Sequence, residues 1–354
     1  MPPTHIIGLT AYPIEAQTER PFYDEHLLAL LHYDAVDGGW RGALCSRIRY
    51  LVASKRAAAR FRRESFDFDL VVLTARHENE YVPVAQTLFK QKDAESYPPW
   101  TGTVTVGEVA GPDGRPLKAA LICIGEMGMA PAAAAASEAI NLFRPRMIGM
   151  VGMCCGFNGS ACASPRKLLD VLVVREVACW EEGKYVSSEK SGDGQFRNRS
   201  KTRLVNDAIR SQVEQVVEQA AAYLTPRLRR VAASRAYKQL TSEIGLNNFR
   251  AVPEVKFSPI VSGSSVVADD DVVSQILDRH PSALGLDMEI VGLHAAVDRC
   301  LGKKPSVLAV KGIADFGRAD KGNEAQVMAS RCATEVFLGI IGQLDIFGPS
   351  ERFG

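Results

Sequence analysis

The 354-residue sequence has no long apolar run; its longest are about strand length or are broken by glycine and charge, so no membrane-spanning helix is expected. It begins without a charged-then-apolar leader, which makes a cytoplasmic location the expectation. It has no strong charge imbalance either. The formal net charge is +1, so neither nucleic acid nor an anionic membrane surface is an expected partner, which leaves small molecules and other protein chains. No CxxC pair or His-rich stretch supplies tetrahedral metal spacing, and no metal is expected. Of the 8 cysteines, Cys123, Cys154, Cys155, Cys179 and Cys332 sit in apolar runs where reduced thiols act as small hydrophobes, and Cys162 completes no ligand set. Also missing are a Gly-x-x-x-x-Gly-Lys-Ser/Thr phosphate loop, a Gly-x-Ser-x-Gly elbow and a Pro-Cys-x-x-Cys partner for His77. Those absences remove P-loop chemistry, elbow-type serine hydrolysis and zinc deamination.

With 46% apolar residues and only 7% aromatics, the chain can bury one large core, or one domain plus an appendage. From residue 66 onward short apolar runs alternate with helical patterns, the rhythm of an α/β domain with a mostly buried sheet. The runs are Leu70 to Thr74, Leu117 to Ile124, Met147 to Val151, Leu168 to Val174, Pro259 to Ser262, Ala283 to Met288 and Val307 to Lys311. Helices are expected over Ala130 to Phe143, Asp271 to Arg279, Ile290 to Cys300 and Ala325 to Leu344, the first ended by Arg144-Pro145. Residues 1 to 65 do not share this rhythm, and their basic stretch Arg47 to Arg63 carries apolar residues at helical spacing; they read as an accessory segment. Residues 184 to 255 read as an insertion. There the polar Ser188 to Ser200 precedes a helical pattern through Leu204, Val205, Ala208, Ile209, Val213, Val216, Val217 and Ala220 with no sustained heptad, so an amphipathic helix lying on the domain is expected.

Acids stand where apolar strands end. Gly285-Leu286-Asp287-Met288-Glu289 precedes a helix, and Val307 to Lys311 runs through Gly312-Ile313-Ala314 to Asp315, with Arg318, Asp320 and Lys321 beyond. Ligands of open α/β sheets bind outside the carboxyl ends of strands, which places these acids at a crevice. Helix capping by Asp287, with Glu289 in the first turn, explains the first cluster equally well, and an N-cap or solvated loop explains the second.

In order along the chain, these segments resemble the nucleoside phosphorylase and nucleosidase superfamily, which includes methylthioadenosine/S-adenosylhomocysteine nucleosidases. The matching segments are Leu70 to Ala75 with Glu78, Glu80 and Tyr81; Gly125-Glu126-Met127-Gly128-Met129 with its Ala-rich helix; Gly152-Met153-Cys154-Cys155-Gly156; Val261 to Val267; Asp287-Met288-Glu289; and Gly312 to Asp315. The match covers roughly residues 68 to 345 apart from the insertion. It implies a three-layer α/β/α domain of the phosphorylase/hydrolase-like kind around a central mixed sheet, with an N-terminal accessory segment and a helical insertion, and a homo-oligomer that needs no cofactor.

What the resemblance implies for single residues meets a physical need, because cleaving a purine N-glycoside passes through a cationic sugar and an anionic leaving base. Asp315 takes the place of the acid that protonates the base at N7, and Glu289 that of the ribose-binding carboxylate. Met288 would pack against the sugar, Asp287 would be a further substrate-binding residue, Gly152, Met153 and Cys154 would line the pocket, and Val266 with the Val267 backbone would contact the base. The acid that handles the attacking water is Glu80 or, with a different gap, Glu78. Where related phosphorylases carry an arginine for phosphate, this chain has Met150, which points to water as nucleophile. Phosphorolysis, and a member that binds nucleosides without turnover, remain as alternatives. Met153, Cys154-Cys155 and Val266 depart from typical methylthioadenosine enzymes. Arg76, His77, Lys311, Arg318 and Lys321 cluster near the strand ends, where they either hold a 5′-phosphate or simply pair with Asp320, Glu78 and Glu80 in solvent. The expected ligand is a purine nucleoside or nucleotide, ATP-type included. The resemblance extends to nucleosidase effectors that deplete nucleotides under sensor control, a role that residues 1 to 65 and the insertion would suit.

Overall fold

A computed structural model gives the structure of the chain and describes residues 6–10, 27–34, 36–64, 66–89, 103–158, 165–187, 194–318 and 322–347. It divides into two units, Met1–Ser65 and Phe66–Gly354. In the first, strands β1 (Ile6–Thr10) and β2 (Leu27–His32) pair in parallel and precede helix α1 (Gly39–Glu64). The helix contains the basic stretch expected to be helical, whereas β1 and β2 were not anticipated.

The second unit is mixed α/β with a central sheet. Its strands are β3 (Phe68–Thr74), β4 (Val104–Ala110), β5 (Pro116–Cys123), β6 (Pro145–Gly156), β7 (Val171–Cys179), β10 (Arg203–Leu204), β11 (Val255–Ser262), β12 (Gly285–Asp287) and β13 (Ser306–Asp315). A separate antiparallel hairpin joins β8 (Gly183–Ser187) to β9 (Gly194–Asn198). The helices are α2 (Val82–Leu88), α3 (Met129–Phe143), α4 (Asp207–Glu218), α5 (Ala220–Tyr223), α6 (Thr225–Ala233), α7 (Arg235–Ile244), α8 (Asp270–Arg279), α9 (Ile290–Asp298) and α10 (Gln326–Ile341). Sheet order is β10-β7-β11-β12-β6-β3-β5-β4, and β13 pairs with both β6 and β7, which links β7, β11, β12, β6 and β13 in a ring. The pairs β3 with β5, β3 with β6, β6 with β13, and β11 with β7 and β12 are parallel, while β4–β5, β6–β12, β7–β10 and β7–β13 are antiparallel.

Alternation along β3 divides the core between the sheet's faces. Leu70 and Val72 join one apolar cluster with α2, α4, α6, α7 and α10, while Val71 and Leu73 join another with α3 and α9. No helix among the described residues is long and apolar enough to cross a membrane.

Element ends differ from the sequence reading for identifiable reasons. β6 and β13 each continue past the apolar run, because Gly152 to Cys155 pair with Lys311 to Asp315 and small residues there let neighbouring groups approach. β4 escaped notice because only its inward half is buried. Leu204, expected in a helix, lies in β10 opposite Glu176 and is exposed; α4 begins after Asn206, whose side chain caps it by accepting from the Ala208 N–H. The residues of 184–255 otherwise pack on the domain, with Ile209, Val213, Leu224, Leu228 and Leu240 in the first apolar cluster. Cys162, Ser188 to Asp193, Asp320 and Lys321 lie outside the described residues.

Helices α3 and α9 touch at Gly292, where a Cβ would overlap the backbone carbonyl of Met129. Backbone cannot yield as a flexible side-chain tip can. Gly292→Ala should therefore lower the unfolding free energy by about 1–3 kcal/mol, the usual cost of overpacking, read as a lower denaturant midpoint at unchanged slope. An unchanged midpoint would mean that this helix contact is not tight.

Candidate functional site

The strands β3, β6 and β13 are mutually parallel, and a cavity of about 210 Å³ opens beside their carboxyl ends and the segments that follow β11 and β12. Among the residues named from the sequence, Arg76, Glu80, Met153, Cys154, Val266, Val267, Asp287, Met288, Glu289 and Asp315 line it. Glu78, Gly152, Lys311 and Arg318 do not, although two of these act directly behind the wall.

Glu80 sits in a single π-helical turn, His77–Tyr81, inserted between β3 and α2. The extra residue in that turn directs Glu80 inward, 2% exposed, while Glu78 faces solvent. Its Oε2 accepts the N–H groups of Ala75 (2.7 Å) and Arg76 (3.0 Å), and Oε1 accepts that of Met153 (2.9 Å). A carboxylate has about four lone-pair sites, so Oε1 keeps one for a further donor. Gly152 makes this approach possible, since a Cβ there would overlap the Glu80 carboxylate.

Asp287 ends β12 and does cap the next helix: its Oδ2 accepts from the N–H groups of Glu289 (3.1 Å) and Ile290 (3.0 Å), and its Oδ1 from the Ser262 hydroxyl. The capping turn throws Glu289 back toward the cavity. Its Oε1 accepts the Gly128 N–H at 3.2 Å, supplied from a turn whose φ of +113° suits glycine, and Oε2 accepts the Met288 N–H at 3.3 Å. Lys311, 1% exposed, places Nζ 3.5 Å from both Asp287 and Glu289. Burial works against its charge, but the two carboxylates outweigh that and hold the ammonium above the usual lysine range. Burial pushes the Glu289 carboxyl up to about 7, against the pull of Lys311 and with the help of Asp287 and Glu80. Lys311 is thus an internal counter-ion, away from the cavity surface.

Asp315, half-buried at the end of β13 and part of the cavity lining, accepts the Gly317 N–H on Oδ1 at 2.8 Å. Arg318 is exposed, 3.6 Å from Asp270, beside a neighbouring hollow. Val266 is exposed and Val267 buried. Met150 is fully buried in β6 between Leu73 and Ala309, outside the lining. Burial also pushes the Cys154 thiol well up, which makes it an inert wall. No cluster of His, Cys, Asp and Glu with metal-binding geometry occurs among the described residues.

Sequence reasoning missed Asn323 and Gln326, which close one side of the cavity. A signal was present: Gln326, Ser330 and Thr334 recur every fourth residue along α10, and all are buried.

No family model matches the chain. It is 25% identical over 233 residues to the uncharacterized protein y4jS of Sinorhizobium fredii (strain NBRC 101917 / NGR234), covering 64% of this chain, and it spans about half (50%) of that relative's length. Among solved structures it is similar to the 5′-methylthioadenosine/S-adenosylhomocysteine nucleosidase of Neisseria meningitidis in complex with methylthio-immucillin-A, at a TM-score of 0.55 and 15% identity over 78% of this chain and 99% of that one. The corresponding nucleosidase of Helicobacter pylori gives 0.56 and 11% over 79% and 100%, and that of Colwellia psychrerythraea, in complex with adenine, 0.54 and 15% over 79% and 97%. These neighbours are members of the nucleoside phosphorylase and nucleosidase superfamily. At such identities the likeness establishes the fold.

The raised Glu289 pKa has a consequence for stability. Between an ordinary glutamate value near 4.5 and about 7, the folded chain binds more proton than the unfolded chain, so this group's stabilisation is complete at the acid end and is lost as pH rises through that window. Relative to the parent, Glu289→Gln should show a flatter dependence of unfolding free energy on pH from about 4.5 to 7. Parallel curves from denaturant melts across that range would contradict the assignment.

Proposed function

We propose that this chain is a purine nucleosidase, hydrolysing the N-glycosidic bond of a purine nucleoside or nucleotide to free base and a ribose product. The observation that carries the reading is the convergence of Glu80, Glu289 and Asp315 on one cavity, each held by backbone donors. Their roles are separable. Asp315 passes a proton from Oδ2 to the purine as the bond between C1′ and the base breaks and its electron pair leaves with the base. Glu289 accepts from the ribose hydroxyls and, when ionised, favours the positive charge growing on the sugar. Glu80 receives a hydrogen bond from water at its remaining Oε1 lone pair and takes the proton as oxygen bonds to C1′. Met288 packs against the sugar and Val266 with Val267 against the base.

Water is the nucleophile in this reading. Among the described residues Arg76 is the only Lys or Arg in the lining, against the four carboxylates of Glu80, Asp287, Glu289 and Asp315, so a phosphate dianion entering to attack would meet like charge. Residues 1–65 and 184–255 are the accessory segment and insertion of a phosphorylase/hydrolase-like, three-layer domain, suited to controlling an effector that acts as a homo-oligomer.

Incubation with inosine, adenosine and adenine nucleotides, with chromatography of the products, should yield free base without added phosphate. Asp315→Ala should slow release by about 10²- to 10⁴-fold, the usual worth of a positioned acid. Strict dependence on phosphate would convert the reading to phosphorolysis; ligand-dependent thermal stabilisation with no base released would leave a binding protein. On the same reading, affinity for a ribonucleoside should rise with pH through about 7 as Glu289 ionises, and Glu289→Gln should remove that dependence.

A further inference from the structure

Resting on the nucleosidase reading, we infer that Arg76 and Asn323, oriented by Asn79 and Gln326, form a subsite for the 5′-phosphate of a purine nucleotide. Asn79 Nδ2 donates to Gln326 Oε1 at 2.6 Å, and Gln326 Nε2 donates to Asn323 Oδ1 at 2.6 Å. This amide chain runs one way. It engages one lone pair on each of the carbonyl oxygens of Gln326 and Asn323 and leaves the N–H groups of Asn323 as the free donor end. The base of the chain is anchored, because the Ser330 hydroxyl donates to the backbone carbonyl of Asn79 at 2.8 Å and also lies 3.1 Å from the backbone carbonyl of Gln326.

Arg76 adds the charge. Its backbone N–H is spent on Glu80, while the residue is exposed, belongs to the cavity lining and has no side-chain hydrogen-bond or ion-pair partner among the described residues. Glu80 does not oppose an anion there in full, since three N–H donors already face its carboxylate. With the base placed between Asp315 and Val266–Val267 and the ribose on Met288–Glu289, these donors are what the lining offers beyond the sugar. The amide N–H donors of Asn323 beside one guanidinium match an acceptor-only, anionic phosphate. A thioether or alkyl substituent would strip water from the same donors and return no hydrogen bond.

The experiment compares base release from AMP, ATP, adenosine and 5′-methylthioadenosine, and from IMP and inosine, in the full chain. The 5′-phosphates should exceed their nucleosides by about tenfold or more in kcat/KM, the worth of a charge-assisted contact. Asn323→Asp and Arg76→Gln should each cut the ratio of nucleotide to nucleoside by about tenfold, and Gln326→Glu, which keeps the shape but disturbs the amide chain, should also lower it. Equal or faster release from adenosine or methylthioadenosine overturns the subsite while the nucleosidase reading stands. If no substrate loses its base, that reading fails, and calorimetric titration with AMP and with adenosine still decides the subsite: tighter AMP binding, weakened in Arg76→Gln, supports it, and equal binding removes it.

Discussion

A buried ammonium between two carboxylates organises this domain. Lys311 lies inside β13 with Nζ 3.5 Å from Asp287 and from Glu289, and all three are nearly sealed from solvent. Removing a charge from water costs several kcal/mol even after relaxation, so no member is tolerable alone, and the set holds β12, β13 and the start of α9 in a single arrangement. Two acids and one base leave a surplus negative charge unless a proton stays. Burial lifts the Glu289 carboxyl to about 7, which makes it the member that can hold that proton. A cationic sugar forming beside Glu289 would substitute for the proton and draw out the carboxylate when negative charge is useful. Structural electrostatics and the proposed chemistry thus share one group.

Close backbone approach is what lets this charge cluster face a cavity. Gly152 lets Glu80 lie against β6, Gly312 lets β13 lie against the Ala329 backbone, and Gly292 lets α9 meet α3 at Met129. The last of these brings the Gly128 N–H to Glu289. Each contact is a pairing of elements distant in sequence, and those at Gly152 and Gly292 lie beside Glu80 and Glu289. The site is rigid for the same reason that the core is dense: the groups that position the acids are backbone amides of packed strands and helix starts.

Much of this was legible before the fold was known. The apolar runs located the central strands, Pro145 marked a helix end, and acids at the ends of β12 and β13 marked the crevice. Asp287 was open to two readings, and it satisfies both, as cap and as cavity wall. Glu80 and Glu78 could not be separated because their difference lies in one π-turn, a local insertion that hydrophobic periodicity does not register. Lys311 looked like a ligand for an external anion since sequence shows a charge but not the side of the sheet it occupies; β13 turns it toward the interior acids. Asn323 and Gln326 went unseen because an amide carries no charge pattern, although the spacing of Gln326, Ser330 and Thr334 on α10 was present to be read. Strand ends were misplaced by several residues where glycine and cysteine extend β6, residues too small and neutral to mark a strand by propensity.

The two ends of the cavity impose opposite electrostatic demands on a nucleotide substrate, and Arg76 serves both. In the proposed reaction positive charge would grow at C1′ and be favoured by the carboxylates, while the permanent negative charge of a 5′-phosphate would be repelled by them. The backbone N–H of Arg76 quenches part of the Glu80 charge, while its side chain supplies a cation at the rim. Because the interior charge of Lys311 is committed to Asp287 and Glu289, it cannot flood the cavity with positive potential and cancel the stabilisation of the sugar. Keeping one cation behind the wall and one at its edge allows the pocket to be negative where the bond breaks and positive where a phosphate would rest.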